Sequence, residues 1–560
     1  MSYLNFNSSN CRNCYKCLRE CPVKAISVID DKAQIIEDLC ILCGHCANAC
    51  RFNAKEVKDD REVVKKLLGS KKPIYVSLAP SFIASFDVKS FAAMENALKK
   101  LGFFFVEETA VGAAAITDEY KKLLKSGKYK NLIASACPAI VRLISQYYPQ
   151  ALPCLAPVDS PMVAHAKQLK KKFGKNASIV FIGPCLAKKR EAAESGVIDA
   201  ALTFEELAAM FSENGVVPEA ELMDTPQALR ARYYPINRGI IKSFDGFVDG
   251  YEYLSVDGVN RSKNVLENID ELTGMFIEMH ACEFSCINGP CSLNKNGGFF
   301  KATERVRSFT KQGMEKEAYP VLDGDFSHKY ERVSSRYVVP PEYEIRRILE
   351  ATGKFKPEDE LNCGACGYPT CRDKAIAVYN NMAQIDMCVP YMREKAESLS
   401  FDIIQNSPNG ILAVDENFRI TDINEKAAQL LDIPRTGCKG ELIERYFNPT
   451  DFYVVAADGN PIDNKTLELE KSGARVEMSI RKVEGQNILF CIMKDVTKEA
   501  LDQERLDKLK TDTYRTTDEV IGKQMRVVQE IASLLGETAA ETKIALLKLK
   551  STLAQTEDKK

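Results

Sequence analysis

The sequence has no surplus of charge of either sign: 76 Lys and Arg face 78 Asp and Glu, a net charge of −2. Holding nucleic acid or an anionic membrane surface takes a basic excess, so neither partner is expected. Long apolar runs are missing too. None reaches the ~20 residues that span a bilayer. The N-terminus shows no basic stretch followed by an apolar one, so a cytoplasmic protein is expected. Histidine is scarce, with four in 560 residues and the last at His328. The C-terminal third therefore has neither an imidazole ligand for haem nor a histidine to accept phosphate.

What is abundant is cysteine, twenty residues gathered mostly in tight groups. In a secreted chain such groups would suggest disulfides; without a signal peptide, metal binding is the better reading. The length allows several domains, since a single core rarely grows past about 250–300 residues.

Residues 1–57 are cysteine-dense. A charged helical stretch, Asp59 to Leu68, leads to Gly69-Ser70-Lys71-Lys72-Pro73, which reads as a linker. Over 74–335 the apolar runs IYVSL, NLIASA, SIVFIG and GMFIEM alternate with helical patterns, which predicts an α/β domain with a largely parallel sheet. Thr203-Phe204-Glu205-Glu206 has the capping-box form of a helix start. Val339-Pro340-Pro341 marks a boundary before a second cysteine group in 342–400. Short alternating strands occupy 401–497. The segment 498–560 is helical and amphipathic, with Met525, Val528, Ile531 and Leu535 on one side. A break at Gly536, the capping-box form Thr538-Ala539-Ala540-Glu541 and a second run with Ile544, Leu547 and Leu549 predict a helical hairpin for dimerisation or docking. The expected fold is multidomain, α+β and α/β.

Cys11-x2-Cys14-x2-Cys17-x3-Cys21-Pro22 is the two-cluster ferredoxin run, and Cys40-x2-Cys43-x2-Cys46-x3-Cys50 repeats it. A tight loop brings three thiolates to three irons of a cube but cannot close over the fourth, so the last cysteine of each run serves the other cluster. One [4Fe–4S] cluster is assigned to Cys11, Cys14, Cys17 and Cys50, the other to Cys40, Cys43, Cys46 and Cys21. Zinc also accepts four thiolates, but two complete runs in tandem favour clusters. Cys363-x2-Cys366-x4-Cys371-x16-Cys388 supplies four more thiolates, with Gly364 and Gly367 letting the backbone fold round a metal centre. A structural zinc and a further [4Fe–4S] cluster both suit this group, and the cluster is favoured. The spacing resembles the small four-cysteine iron–sulfur domain found beside corrinoid and acetyl-CoA pathway proteins.

Other cysteines sit where predicted strands end: Cys137 after NLIASA, Cys185 after SIVFIG, Cys282 and Cys286 after GMFIEMHA. Ligands of open α/β sheets bind outside the carboxyl ends of the strands, so these four could converge. Cys154, Cys438 and Cys491 read as small core residues.

Ala79-Pro80-Ser81, Ser135-Ala136-Cys137-Pro138, Pro184-Cys185-Leu186-Ala187-Lys188-Lys189 and Glu278-Met279-His280-Ala281-Cys282-x3-Cys286 occur in the order found in [FeFe]-hydrogenases, which residues 1–300 resemble. The resemblance implies that Cys137, Cys185, Cys282 and Cys286 hold the cubane of an H-cluster, with Cys286 bridging to a diiron subsite. It implies that Ser81 and Lys188 donate hydrogen bonds to cyanide ligands there. The family's first motif normally carries two adjacent cysteines, the first passing protons; here that place is Ala136. Loss of a positioned acid–base group typically costs ~10²–10⁴ in rate. Gly183 and His280 replace methionines, Glu283 and Phe284 replace paired glycines, and His280 is a candidate substitute proton group.

Residues 401–497 resemble a PAS domain, through Gly410-Ile411-Leu412-Ala413-Val414-Asp415, Ile420 to Ala428, and the closing triplet Asp495-Val496-Thr497. The expected function is a sensory [FeFe]-hydrogenase-like protein with slow or no hydrogen turnover. Its small partners would be H2 and protons, with a redox partner such as ferredoxin. Output would pass through a homodimer's PAS domain and C-terminal helices to a kinase or phosphatase. The rivals are a catalytic ferredoxin-linked hydrogenase, and a redox sensor holding only [4Fe–4S] clusters, with Glu283 and Phe284 filling the diiron pocket.

Overall fold

The computed structural model describes residues 3–29, 32–70, 72–219, 229–294, 298–312, 324–334, 337–433, 437–483 and 487–557. Lys71 of the expected linker and Ser335, the expected end of the α/β domain, lie outside them. The chain divides into two compact units, Met1–Met392 and Arg393–Lys560.

The first unit opens with two small antiparallel pairs: β1 (Leu4–Phe6) with β4 (Lys55–Val57), and β2 (Ile26–Ile29) with β3 (Lys32–Ile35). Two one-turn helices, Lys16–Glu20 and His45–Ala49, repeat one design. Each is entered through a left-handed residue, Tyr15 or Gly44, and each is closed by the last cysteine of its run, Cys21 or Cys50. Gly44 is required twice over: its φ is +78°, and a Cβ there would lie 2.3 Å from Pro290 Cβ.

The expected parallel pairing is present but divided between two sheets. One has the order β6 (Phe105–Glu108), β5 (Ile74–Leu78), β8 (Ser178–Gly183), β9 (Ala200–Thr203). The other has the order β10 (Glu252–Asp257), β11 (Met275–His280), β7 (Asn131–Ile133). All these pairings are parallel. β5 is buried along its whole length, as befits a parallel strand covered on both faces. Helix starts are chemically marked. Ser160 caps Pro161–Phe173, and Thr203 and Glu206 form the reciprocal capping box of Phe204–Glu213. Further on, Glu342–Glu350 packs Ile345, Ile348 and Leu349 around Ala375 of helix Cys371–Tyr379.

The second unit holds a five-stranded antiparallel sheet ordered β13 (Ile420–Ile423), β12 (Gly410–Val414), β16 (Leu489–Asp495), β15 (Arg475–Lys482), β14 (Ile462–Glu468). Its core is filled by Phe452, Val455, Met478, Cys491 and Met493. Thr497–Glu557 then forms a single helix of 61 residues. This corrects the helical hairpin expected from Gly536. One interior glycine costs only about 1 kcal/mol relative to alanine, too little to break a helix this long. Thr538 starts no new helix; its hydroxyl donates to the Leu534 carbonyl at 2.9 Å, one turn back.

Candidate functional site

In the ferredoxin part the last cysteine of each run lies near thiols of the other run. Burial is the main force raising the Cys43 thiol, followed by the nearness of Cys21, Cys46 and Cys40. Burial likewise raises Cys17, where Cys11 and Cys50 add to it and Lys55 offsets part. Cys21 is pushed up to about 11, again mainly by burial. Amide donors already face the sulfurs: Ala25 N–H on Cys21 Sγ at 3.3 Å, and Ala54 N–H on Cys50 Sγ at 3.3 Å. Thiols crowded together in a dry place are hard to ionise unless a cation neutralises them. An iron–sulfur centre is such a cation source, and the donor set fits it.

The strand-end cysteines come from both sheets. Cys137 follows β7 and precedes helix Pro138–Tyr147. Cys185 follows β8 and precedes helix Ala187–Ser195. Cys282 follows β11, and Cys286 lies in the single turn Ser285–Asn288. The four meet. Cys185 is raised to about 12 by burial first, then by Cys137 and Cys286. Cys282 is raised by burial and then by Cys185, Cys286 and Cys137, with Cys43 of the ferredoxin part next. The helices that begin at this site also grip the ferredoxin backbone. Gln146 Nε2 donates to Asp38 O at 2.6 Å, Tyr147 OH to Leu39 O at 2.6 Å, and Arg190 to Cys40 O at 3.1 Å.

The surrounding residues can be placed one by one. Ser81 is buried at the end of β5. Lys188 Nζ donates to Ala136 O at 3.3 Å, Ser160 Oγ at 3.0 Å and Glu191 Oε2 at 2.7 Å, which occupies its three protons with protein acceptors. Its neighbour Lys189 is held elsewhere: its buried ammonium bonds Asp60 Oδ2 and Glu206 Oε1, both at 2.8 Å. His280 is buried, with Nε2 3.0 Å from Glu278 Oε1 and Nδ1 3.9 Å from Cys286 Sγ. Burial opposes the imidazolium, yet the contacts with Cys286 and Glu278 outweigh it and hold the pKa well above its ordinary value. Glu278 also accepts the Gly239 and Ile241 amides at 3.1 and 2.9 Å. The space beside Gly183 is taken by the Phe181 ring, 2.6 Å from where a Cβ would stand. Glu283 and Phe284 are exposed, with Phe284 stacked on Phe299, so they do not fill a buried diiron pocket. Cys291, fully buried against Pro184, packs in the core.

The third group surrounds one hollow. Cys363, Cys366, Cys371 and Cys388 line it together with Lys354 and Lys374. Gly364 and Gly367 have φ of +68° and +95°, the left-handed backbone that glycine adopts at no steric cost. Lys354 Nζ donates to Cys388 Sγ at 3.4 Å. Among the described residues no three His, Cys, Asp or Glu side chains are placed to hold a single metal ion. A cube of four irons spreads its ligands over four corners, so a cluster does not demand that closeness. Sequence reasoning gave no structural role to Lys24 or Lys189, because no spacing rule marks a buried charge whose partner is remote in the chain.

Residues 72–245 match the family described as iron-only hydrogenase large subunit, C-terminal domain, and residues 3–51 match the 4Fe-4S dicluster domain. Residues 359–390 match an Fe-S cluster family, and 399–464 the PAS domain. Iron hydrogenase 1 of Clostridium pasteurianum is 26% identical over 362 residues, 45% of this chain and 63% of that protein. Hydrogenase-4 component A of Escherichia coli (strain K12) is 46% identical over 55 residues, 10% of this chain and 27% of that one. The chain thus spans less than two thirds of either relative. A variant of [FeFe]-hydrogenase HydA1 from Chlamydomonas reinhardtii shares 18% identity over 44% of this chain and 88% of its own, with a TM-score of 0.34. The PAS domain of nitrogen regulation protein NR(II) from Vibrio parahaemolyticus shares 15% over 17% of this chain and 97% of its own, at a TM-score of 0.16. The chain is a hydrogenase-like iron–sulfur protein with a PAS domain.

Proposed function

We propose that this chain senses hydrogen, or the redox poise that hydrogen sets, at the Cys137–Cys185–Cys282–Cys286 site and reports it through the PAS domain and the C-terminal helix. The observation that carries this reading is Ala136 beside a retained set of four converging cysteines. The set suits an H-cluster cubane, while a methyl group stands where the resemblance places the proton-passing thiol. Slow exchange of protons suits a site that registers a ligand better than one that turns it over.

The reporting end has the shape this requires. At the root of the long helix, Thr497 donates to Asp495 Oδ1 at 2.7 Å and accepts the Arg475 amide at 3.0 Å, while Lys426 pairs with Asp495 Oδ2 at 3.0 Å. These bonds tie the end of β16 to the start of the helix. Farther along, Ile521, Met525, Val528, Leu535, Leu546 and Leu549, each more than half exposed, lie on a seam of alternating four- and three-residue steps whose remaining positions are Ala532, Ala539 and Thr542. A repeat of 3.5 residues is covered by a second helix wound round the first. A second copy of this chain supplies one, and a signalling protein such as a kinase or phosphatase would read the pair.

The test is infrared spectroscopy and hydrogen turnover on the full chain after treatment with the diiron-assembly machinery. Carbonyl and cyanide bands with slow turnover support the reading; rapid turnover at ordinary affinity overturns it in favour of a catalyst. One observation favours a second reading, a sensor with [4Fe–4S] clusters alone: the three protons of Lys188 already have protein acceptors. Absence of the bands would select that reading.

A further inference from the structure

The four-cysteine module packs directly on the ferredoxin part. The Val28 amide donates to Met382 O at 2.9 Å. Gly367, at φ +95°, lies so close to Leu18 that a Cβ would come within 2.9 Å of that side chain. Between them stands Lys24. Its ammonium donates to Leu18 O at 3.0 Å, Arg19 O at 3.1 Å and Gly367 O at 2.9 Å, so all three protons are spent on a clamp between the two modules. Cys21 on one side and Cys366 on the other both act on its charge. Cys21 belongs to the set Cys21–Cys40–Cys43–Cys46, which also faces Cys282 through Cys43 and Cys17 through Cys46. That set therefore lies near three other groups of cysteines and forms a junction.

Beyond the junction, the hollow holds a second fixed cation. Lys354 is 6% exposed, and its ammonium donates to Thr352 O at 3.0 Å, Thr352 Oγ1 at 3.3 Å and Cys388 Sγ at 3.4 Å. A buried ammonium on a cluster's sulfur stabilises the reduced, more negative form and raises its reduction potential. Cys388 directly precedes helix Val389–Gln405, and its carbonyl accepts the Met392 amide at 2.9 Å. Negative charge gained at Cys388 falls at the helix's positive end, where it stabilises the first turn.

We propose that the Cys363–Cys366–Cys371–Cys388 site is a side branch of the electron path, entered from the ferredoxin part across the Lys24–Gly367 contact, and that Lys354 makes it an electron store at the root of helix Val389–Gln405. One electron would pass from the cluster that Cys21, Cys40, Cys43 and Cys46 would hold, which is oxidised, to the cluster at the branch, which is reduced; no bond or proton moves. The electron is supplied by a low-potential one-electron donor. The inference rests on the iron–sulfur part of the proposed function and is independent of the diiron subsite.

The test uses the full chain loaded with iron and sulfide but without diiron assembly, reduced by dithionite and titrated by electron paramagnetic resonance. In the native chain the branch signal is expected to broaden as the ferredoxin signals appear, since neighbouring spins couple. Lys354→Met and, in parallel, the milder Lys354→Gln are expected to lower one cluster's potential, with Lys354→Arg restoring it. The expected change is at least tenfold in that cluster's reduction equilibrium, or 59 mV for one electron, with the others unmoved. Zinc in place of iron at this site, an unbroadened branch signal, or unchanged potentials in both neutral variants would overturn the proposal. A failed diiron assembly would leave all these results standing, so the two readings fail separately.

Discussion

The ferredoxin cysteines and the strand-end cysteines reach similar ends by opposite routes. In the first, each run of eleven residues makes its own loop and one-turn helix, and its last thiol lies near thiols of the other run. In the second, no two of Cys137, Cys185 and Cys282 lie within forty residues of each other, and two separate sheets must be correctly packed before they meet. The difference teaches where each site's integrity is stored. A local site depends on its own turn chemistry, whereas a convergent one depends on the whole scaffold, and its chemistry can be altered at a neighbouring position without loss of the ligands.

Ala136→Cys gives the sharpest contrast. Returning a thiol beside Cys137 should raise hydrogen turnover of the fully assembled chain by ~10²–10⁴, while the ferredoxin paramagnetic signals stay unchanged; unchanged turnover would show that proton access is limited elsewhere. Next in size is Lys189→Met. It takes the ammonium from buried Glu206 and leaves Asp60 with Lys58 alone, and breaking such a buried pair costs about 3–5 kcal/mol. Denaturant unfolding should show that loss, with the strand-end site disordered before the ferredoxin runs.

A third contrast uses pH on the cluster-free chain. Cys185 titrates at about 12 when folded, against roughly 8.5 in an unfolded chain. Between these values the folded state binds more protons, so stability is full below the unfolded pKa and falls as pH rises toward 12. A loss of a few kcal/mol is expected from this thiol alone, read as a falling melting temperature above pH 9. Loading the clusters should abolish the slope, because ligated thiolates no longer take up protons. Smallest is Thr203→Ala, which removes one half of a capping box and should cost about 1 kcal/mol without changing any cluster signal.

Much of this was legible in the sequence, for reasons that follow the same division. The runs at 11–21 and 40–50 carry their ligand geometry in their spacing, and the Thr203–Glu206 capping box is complete within four residues. The strand ends pointed to Cys137, Cys185, Cys282 and Cys286 because apolar runs mark strands. Pairing partners are not written in those runs, so the split into two sheets stayed hidden. Gly536 misled because a breaker's weight depends on the length of helix around it. The partners of Lys24 and Lys189 were hidden for a related reason: contacts 343 and 129 residues apart, as for Lys24 with Gly367 and Lys189 with Asp60, leave no periodic trace.

The helix Thr497–Glu557, at 61 residues, is about 90 Å long. Held at its root by Asp495 and Thr497, it acts as a lever arm: a tilt of about 5° there carries its far end through roughly 8 Å at 1.5 Å rise per residue. A displacement too small to disturb β16 would thus become, at the tip, a stroke wide enough to shift one helical turn past another.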